Sequence, residues 1–424
     1  MTELRKVKLM DENNDNINLK NPVPIQMGDT ASIDAFGRWR VSEPFTIFDS
    51  KQLYDKQPLY WNEIENGTGE STFDTNESSV LMSVSADGDY VIRQTYMRFD
   101  YQPGKSFRLF LTGLIGEHVA NTESKIGYYN TSTTAPYTAE CDGLCFGVDG
   151  TGKFVMVSDN GTQKKIYQDD WNLDKMDGTG PSGKTVDYDS TQIFTIDFEW
   201  LGVGRVRYGF VIDGVVYYIH EENHANVTGN TTPYMKSPNH SVRYEVRSTG
   251  GSKTIRHICS SVQSEGGVEQ SGVTRSLNTG TSVVSCGTVL EGVLFYRVNT
   301  NKKCTTLVLD DFSLLNNSSN TNNYRFSIIL NPTIAGTALT WDNVTNSAID
   351  SAVGNGDNTL TDGLELFSGY VTGDLPSQTL PTKLIIRPGF AIDGTQDVIA
   401  IAVQTFSNNN DFAAALNIRE VTCG

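Results

Sequence analysis

The chain has 424 residues, with 33 Lys and Arg against 50 Asp and Glu, a formal net charge of −17 at pH 7. One hydrophobic core stops growing near ~250–300 residues, so two or three domains are expected. With 38% hydrophobic and 20% charged residues the chain has ample material to bury and is globular. Its acidic surface and scattered basic residues argue against a nucleic-acid partner. No run reaches the ~18 apolar residues of a membrane helix, so no membrane partner is expected.

The opening, MTELRKVKLMDENNDN, has no apolar signal core, which predicts that the protein is made and folds in a cytoplasm. Residues 1–80 read as an extended N-terminal arm, because Gly37, Pro44 and Pro58 interrupt any regular period. The arm carries Phe36, Trp39, Phe45, Phe48, Tyr54, Tyr60 and Trp61. So many rings are expected to pack on something, either the next domain or a neighbouring subunit, and they are the candidate interface. On this reading, deleting residues 1–60 leaves a folded core that no longer joins its partners.

Residues 81–263 carry short alternating runs rich in Val, Ile, Thr, Tyr and Phe, separated by turn dipeptides at Asp87-Gly88, Pro103-Gly104, Asp149-Gly150 and Asp213-Gly214. The last is a type I′ hairpin signal between VRYGFVI and VVYYIH. Val206, Tyr208, Phe210 and Ile212 should share one face, with Arg205, Arg207 and Val211 on the other. Strands at roughly ten-residue spacing predict an antiparallel two-sheet sandwich. After the polar stretch SVQSEGGVEQSGV, residues 264–424 read as a second β-rich domain, with strands in VLEGVLFYRV, CTTLVLDDFSLL, NYRFSIIL, TKLIIRPGF and DVIAIAVQTF. The fold class expected is therefore all-β: a β-sandwich followed by a second β-sandwich, with an extended arm in front.

The segments IDAFGRWRVSEPFTIFDSKQLYDKQPLYW, SADGDYVIRQTYMRFDYQPGKS, DFEWLGVGRVRYGFVIDGVVYYIHEENHANV and SVRYEVRSTGG, spanning about residues 30–265, resemble a family of structural proteins from tailed bacteriophages. The resemblance implies a virion protein with a concanavalin-like jelly roll in its middle. Such a protein serves as a capsid decoration, head fibre or tail protein.

Several motifs invite a chemical reading. His220-Glu221-Glu222-Asn223-His224 matches the HExxH string of zinc proteases, which needs both His on one helical face. Here VVYYI precedes it, and on a strand the two His would stand ~13 Å apart. Asp197 and Glu199 in FTIDFEW alternate as paired carboxylates do in concanavalin-like glycanases. Leu201 replaces a third acid, and a salt bridge with Arg205, Arg207 or Arg243 is the plainer account. Asp197, Glu199 and Trp200 are kept as possible ligand-binding residues. GTGPSGKT (178–185) matches a phosphate loop but lacks the strand before it and the helix after it. Asp169 and Asp170 lack EF-hand spacing; the loop acids within 174–180 and 187–190 could hold a cation, and solvated turn residues are the plainer account. Six cysteines, at 141, 145, 259, 286, 304 and 423, read as free and mostly buried thiols, since Cys141 and Cys145 lack a second ligand pair for zinc.

No catalytic residue, metal or cofactor is expected. The leading expectation is a non-enzymatic virion component, a homotrimer that docks on major capsid or tail proteins through its arm. The alternative is a carbohydrate-binding attachment protein that touches surface glycans.

Overall fold

In the computed structural model, residues 32–41, 43–159, 162–268, 272–318, 322–372, 377–381 and 387–421 are described. They form four main antiparallel sheets arranged as two sandwiches.

The first sandwich is built from β1 (Phe45–Lys51), β2 (Trp61–Asn66), β3 (Glu70–Asp74), β4 (Ser79–Val84) and β5 (Tyr90–Thr95). Then come β6 (Ser106–Leu114), β7 (Thr122–Asn130), β8 (Asp142–Val148), β9 (Lys153–Asp159) and β10 (Thr162–Tyr167). It closes with β11 (Gln192–Phe198), β12 (Val206–Ile212), β13 (Val215–Glu222), β14 (Val242–Ser248) and β15 (Lys253–Glu265). One sheet runs β13-β12-β11-β6-β15-β4-β3, with β1 also on β15; the other runs β10-β9-β8-β7-β14-β5-β2.

Alternation explains why these segments pair and stack. Phe194, Ile196, Tyr208 and Phe210 of one sheet and Tyr128, Phe146, Val155 and Tyr244 of the other point inward into one core. The rings of Phe146 and Phe194 meet across it at 5.0 Å between centroids. Truncating such a ring to Ala costs about 3–5 kcal/mol. The expected hairpin at Asp213-Gly214 is present: both residues have positive φ, 53° and 77°, as a type I′ turn requires.

The second sandwich comprises β16 (Val273–Asn278), β17 (Val284–Cys286), β18 (Glu291–Val298), β19 (Thr306–Asn316) and β20 (Tyr324–Leu330). It continues with β21 (Thr333–Ile334), β22 (Asp342–Asn343), β23 (Ile349–Val353), β24 (Leu360–Thr361) and β25 (Leu364–Val371). The last strands are β26 (Ser377–Pro381), β27 (Val398–Thr405) and β28 (Asn410–Val421). A sheet ordered β16-β28-β19-β26 packs against one ordered β22-β23-β18-β27-β20-β25. Phe312, Leu416 and Ile418 from the first meet Phe326, Ile328 and Ile401 from the second. The expected strands in VLEGVLFYRV, CTTLVLDDFSLL, NYRFSIIL and DVIAIAVQTF are β18, β19, β20 and β27. In TKLIIRPGF, residues 382–386 lie outside the described residues.

The arm is where structure and expectation part. Residues 45–80 belong to the first sandwich: β1 pairs with the C-terminal half of β15, and β2, β3 and β4 lie within the two sheets. Phe48 and Trp61 are buried in the core, and Tyr60 packs against it. The Trp61 indole N–H donates to Ser50 Oγ at 2.8 Å. The reason is local. FTIFDSK follows Pro44 closely, yet it alternates with Phe48 and Ser50 pointing inward, and an edge strand tolerates a proline at its border. Ahead of β1, residues 32–41 lie outside the sheets as a strap on the outer face of the eight-stranded sheet.

The two sandwiches touch directly. Thr306 Oγ1 donates to Asp100 Oδ1 at 2.7 Å and Arg387 faces the other oxygen at 3.4 Å. Ile392 packs on Tyr90 and Ile92, and its N–H donates to Asn62 Oδ1 at 2.8 Å.

Candidate functional site

Asp197 is the residue that the sequence marks most strongly, and the structure buries it completely. It sits on β11 with its side chain on the outer face, since its neighbours Ile196 and Phe198 point into the core. Its Oδ2 accepts from Arg207 Nη2 at 2.6 Å, from the Tyr218 hydroxyl at 2.7 Å and from Arg40 Nη2, while Oδ1 accepts from Ser106 Oγ at 3.0 Å. Burial alone would raise its pKa; the charges of Arg207 and Arg40 and the Tyr218 hydrogen bond outweigh burial and hold it below the usual carboxylate range. The same surroundings push the Tyr218 hydroxyl up to about 12, with burial the larger cause and the Asp197 charge the next.

The strap supplies the cover. Arg40 bridges Asp197 and Glu265. Ile33 and Ala35 are buried, their carbonyls accepting from Arg207 Nη2 at 3.0 Å and Arg205 Nε at 3.1 Å. Ala35 N–H donates to Ser106 Oγ at 3.3 Å. Asp197 is therefore enclosed by its own chain, with both carboxylate oxygens bonded and no surface open to a substrate.

Glu199 lies one residue beyond β11, in the turn that leads to β12, where its Oε1 accepts from Arg205 N–H at 3.4 Å. The alternation that would align it with Asp197 on one sheet face ends at Phe198. Trp200 is tied inward: its backbone N–H donates to the Tyr101 hydroxyl at 3.0 Å and its indole N–H to Met235 O at 3.3 Å. The three sequence-marked residues thus brace the fold. They do not form a paired-carboxylate centre.

The other chemical motifs resolve in the same way. His220 to Glu222 end the strand β13 instead of starting a helix. His220 Nε2 pairs with Glu222, and the His224 ring stacks on Tyr234 at 4.0 Å. Residues 178–185 form a turn closed by the Gly178 N–H to Lys184 O bond, with no helix behind it. Among the described residues, no three His, Cys, Asp or Glu side chains are grouped to hold a metal ion. The five described cysteines are free, three of them buried; Cys423 lies outside the described residues.

The feature that sequence reasoning missed is a cleft of about 330 Å³ where the two sandwiches meet. The first sandwich contributes Phe48, Leu59, Tyr60 and Tyr96, and the second Asn331, Leu364, Arg387 and Asp397. Its walls are aromatic and aliphatic, and its polar groups are held in place by neighbours. Asn331 Nδ2 donates to Asp397 Oδ1 at 2.7 Å, and Gly389 N–H donates to Asp397 Oδ2 at 2.8 Å. Burial raises the Asp397 pKa, and these two hydrogen bonds oppose the rise. No period in the sequence could signal this cleft, because its lining comes from segments more than 300 residues apart.

The sequence-marked arm rings fall into two sets. Phe48, Tyr60 and Trp61 face the core, whereas Trp39 is 59% exposed, Phe45 50% and Tyr54 90%. Phe36 is half-buried beneath the Arg38 guanidinium, 4.5 Å from its ring centroid.

No protein-family model matches the chain, and no curated protein is similar to it in sequence. Solved structures with a similar arrangement of strands include a β-glucanase of Bacillus licheniformis, 10% identical over 52% of this chain and 98% of the glucanase, TM-score 0.33. The carbohydrate recognition domain of Emp47p is 15% identical over 54% of this chain and 99% of that domain, TM-score 0.32. The exoplasmic/lumenal domain of VIP36, bound to Ca2+ and Man3GlcNAc, is 11% identical over 54% of this chain and 92% of that one, TM-score 0.33. The class that the structure itself defines is all-β: two antiparallel sandwiches in series.

Proposed function

We propose that this protein acts by binding, without chemistry, and that its ligand is a carbohydrate held in the cleft between the sandwiches. The observation that carries the reading is the cleft itself, in which ring faces stand beside polar groups already fixed by partners of their own. Ligand sites are commonly concave, apolar in bulk and equipped with a few oriented polar groups. A sugar matches that pattern, with a C–H face for the rings and hydroxyls for Asn331, Arg387 and Asp397. The reading without chemistry is supported by the burial of Asp197 beneath Arg207, Arg40, Tyr218 and Ser106. The test is a glycan array followed by calorimetry. The protein should bind at least one saccharide class, and changing Tyr60 and Tyr96 to Ala should weaken that binding at least ten-fold. Silence across the array ends the carbohydrate reading.

A second reading is favoured by the exposed rings. Trp39, Phe45 and Tyr54, with Val41, Leu53 and Leu59, leave large apolar side chains in water near the start of the first sandwich. Buried at an interface, such rings are worth ~2 kcal/mol or more each. They suit a component of a tailed-phage particle that docks on capsid or tail proteins. Particles assembled with a Trp39→Ser, Tyr54→Ser variant should lose the protein; full occupancy would remove this reading.

A further inference from the structure

The second sandwich carries a pair of rings that its own packing leaves in water. Tyr370, near the end of β25, is 74% exposed, and Phe406, just past β27, is 64% exposed. Their ring centroids are 6.1 Å apart with planes at 48°. Large rings normally gain stability by burial, so a pair held together in solvent keeps that gain in reserve.

Register fixes what stands beside them. Tyr324, Phe326 and Val403 point into the core, so Arg325 and Ser327 of β20 and Gln404 of β27 point to the outer face of the sheet. Tyr370 stands opposite Arg325 and Ser368 opposite Ser327, while Gln404 flanks Arg325 from the other side. Cross-strand partners share a face, so these side chains form one outward patch with the Tyr370 ring. Arg325 is paired with Glu365, and Ser327 Oγ donates to the other Glu365 oxygen at 3.2 Å. The two charges cancel and are held in place, yet both groups remain partly exposed.

A shallow hollow of about 410 Å³ is lined by Arg325, Glu365, Leu366, Phe367, Ser368 and Tyr370. Leu366 packs against the core and Phe367 meets Phe326 at 5.9 Å, so what the hollow offers outward is one ring and a set of fixed polar groups. Past Phe406, Ser407 Oγ donates to Asn322 Oδ1 at 2.9 Å, which continues the uncharged polar rim. The hollow is distinct from the cleft. Leu364, at the opposite end of β25, lines the cleft and packs toward the core, whereas Tyr370 faces away from it.

We propose that this outward patch is a second saccharide site, in which a neutral sugar lays its C–H face on Tyr370 and Phe406 and hydrogen-bonds Arg325, Glu365 and Ser368. The proposal rests on the carbohydrate reading above and adds to it a separate site, so that one chain grips a polysaccharide at two places. Rings beside a few oriented polar groups are the usual make-up of a ligand site. An acidic sugar gains nothing from a patch whose cation is already paired. With two sites on one chain, the second contact becomes intramolecular and raises retention on a polymer without any new interaction. A second copy of the chain pairing with β25, whose other edge carries no strand among the described residues, is the competing occupant.

The test is calorimetry of the full chain with neutral trisaccharides of α-glucan, β-glucan and chitin, together with retention on insoluble starch, cellulose and chitin. The patch variant is Tyr370→Ala with Phe406→Ala, and the cleft variant is Tyr60→Ala with Tyr96→Ala; circular dichroism checks folding. The wild type should bind two sugars per chain and the patch variant one, with retention on the matching polymer lower by at least ten-fold. Tyr370→Phe, which keeps the ring, should behave as the wild type. Binding lost in the patch variant but intact in the cleft variant would support the patch and remove the cleft as a sugar site. If the patch variant matches the wild type in stoichiometry and retention, the patch is wrong while the carbohydrate reading stands. If no saccharide or polymer binds the wild type, both fall. If the patch variant changes the sedimentation coefficient and leaves sugar binding alone, the rings form a protein interface and the proposal is overturned.

Discussion

Asp197 and Arg207 are both fully buried and bonded at 2.6 Å, so each satisfies a charge that the other could not leave uncovered. Removing one partner of a buried pair strands the remaining charge, at a cost of about 3–5 kcal/mol. Arg207→Ala should therefore lower the unfolding free energy of the first sandwich, measured by urea denaturation, by about that much. Arg40→Ala should cost less, because Arg207, Tyr218 and Ser106 would still hold the carboxylate. Equal losses in the two variants would show that the strap, and not β12, carries the pair. A second buried network lies on the outer face of the other sheet. Glu245 there is bonded to Arg243 and Arg247 and faces Lys125. Burial works against its charge, but these three cations overcome it and keep the carboxyl well below its usual range.

Elements were legible where their alternation is strong and their turns carry Gly. The hairpin of β12 and β13 follows directly from VRYGFVI, Asp213-Gly214 and VVYYIH. Several elements were not legible, β28 and β1 among them. β28 contains Ala413-Ala414-Ala415, a helix-favouring run, yet it alternates buried and half-buried along its length. The context of β19 and β16 on its two sides decides its state, as tertiary pairing commonly overrides propensity. β1 was hidden by Pro44 and by a ring on nearly every turn of the surrounding sequence. Its presence reverses the expected outcome of truncation. Removing residues 1–60 takes away Phe48 from the core and the strand that covers half of β15. Such a chain should fail to fold, seen as loss of near-ultraviolet circular dichroism. A chain beginning at Ser32 keeps every described contact and should retain its signal. Of the candidate site, Asp197 was visible as an acid on a strand and Arg207 was among its expected ion-pair partners, but Arg40, Ser106 and Tyr218 arrive from distant segments, and no local pattern announces them.

For the whole molecule, acid should be the more damaging direction of pH. Asp142 is held at about 2: burial raises it, but His240, Ser158 and the Lys236 N–H outweigh burial. Its folded value lies below its unfolded value, so its contribution is complete above about pH 4 and is lost as pH falls from there to about 2. That contribution is on the order of 2 kcal/mol. Stability curves of the wild type and Asp142→Asn should thus differ at pH 7 and converge near pH 2; parallel curves would refute the assignment. His257, buried and neutral beside Arg93, is held well below its ordinary value, first by burial and then by that charge. It adds a loss that begins as pH drops below about 6.5, where the unfolded chain takes up a proton that the folded one refuses. The strap adds a matter of timing. Arg40 meets Asp197 157 positions later in the chain and Glu265 225 positions later. At a synthesis rate of about 5–20 residues per second, Arg40 leaves the ribosome roughly 10–45 s before Glu265 exists. Until β11 and β12 have been made, the segment from Ile33 to Arg40 lacks most of the partners that hold it. A nascent chain stalled before β15 would hold Arg40 by Asp197 alone, without the Glu265 half of its clasp.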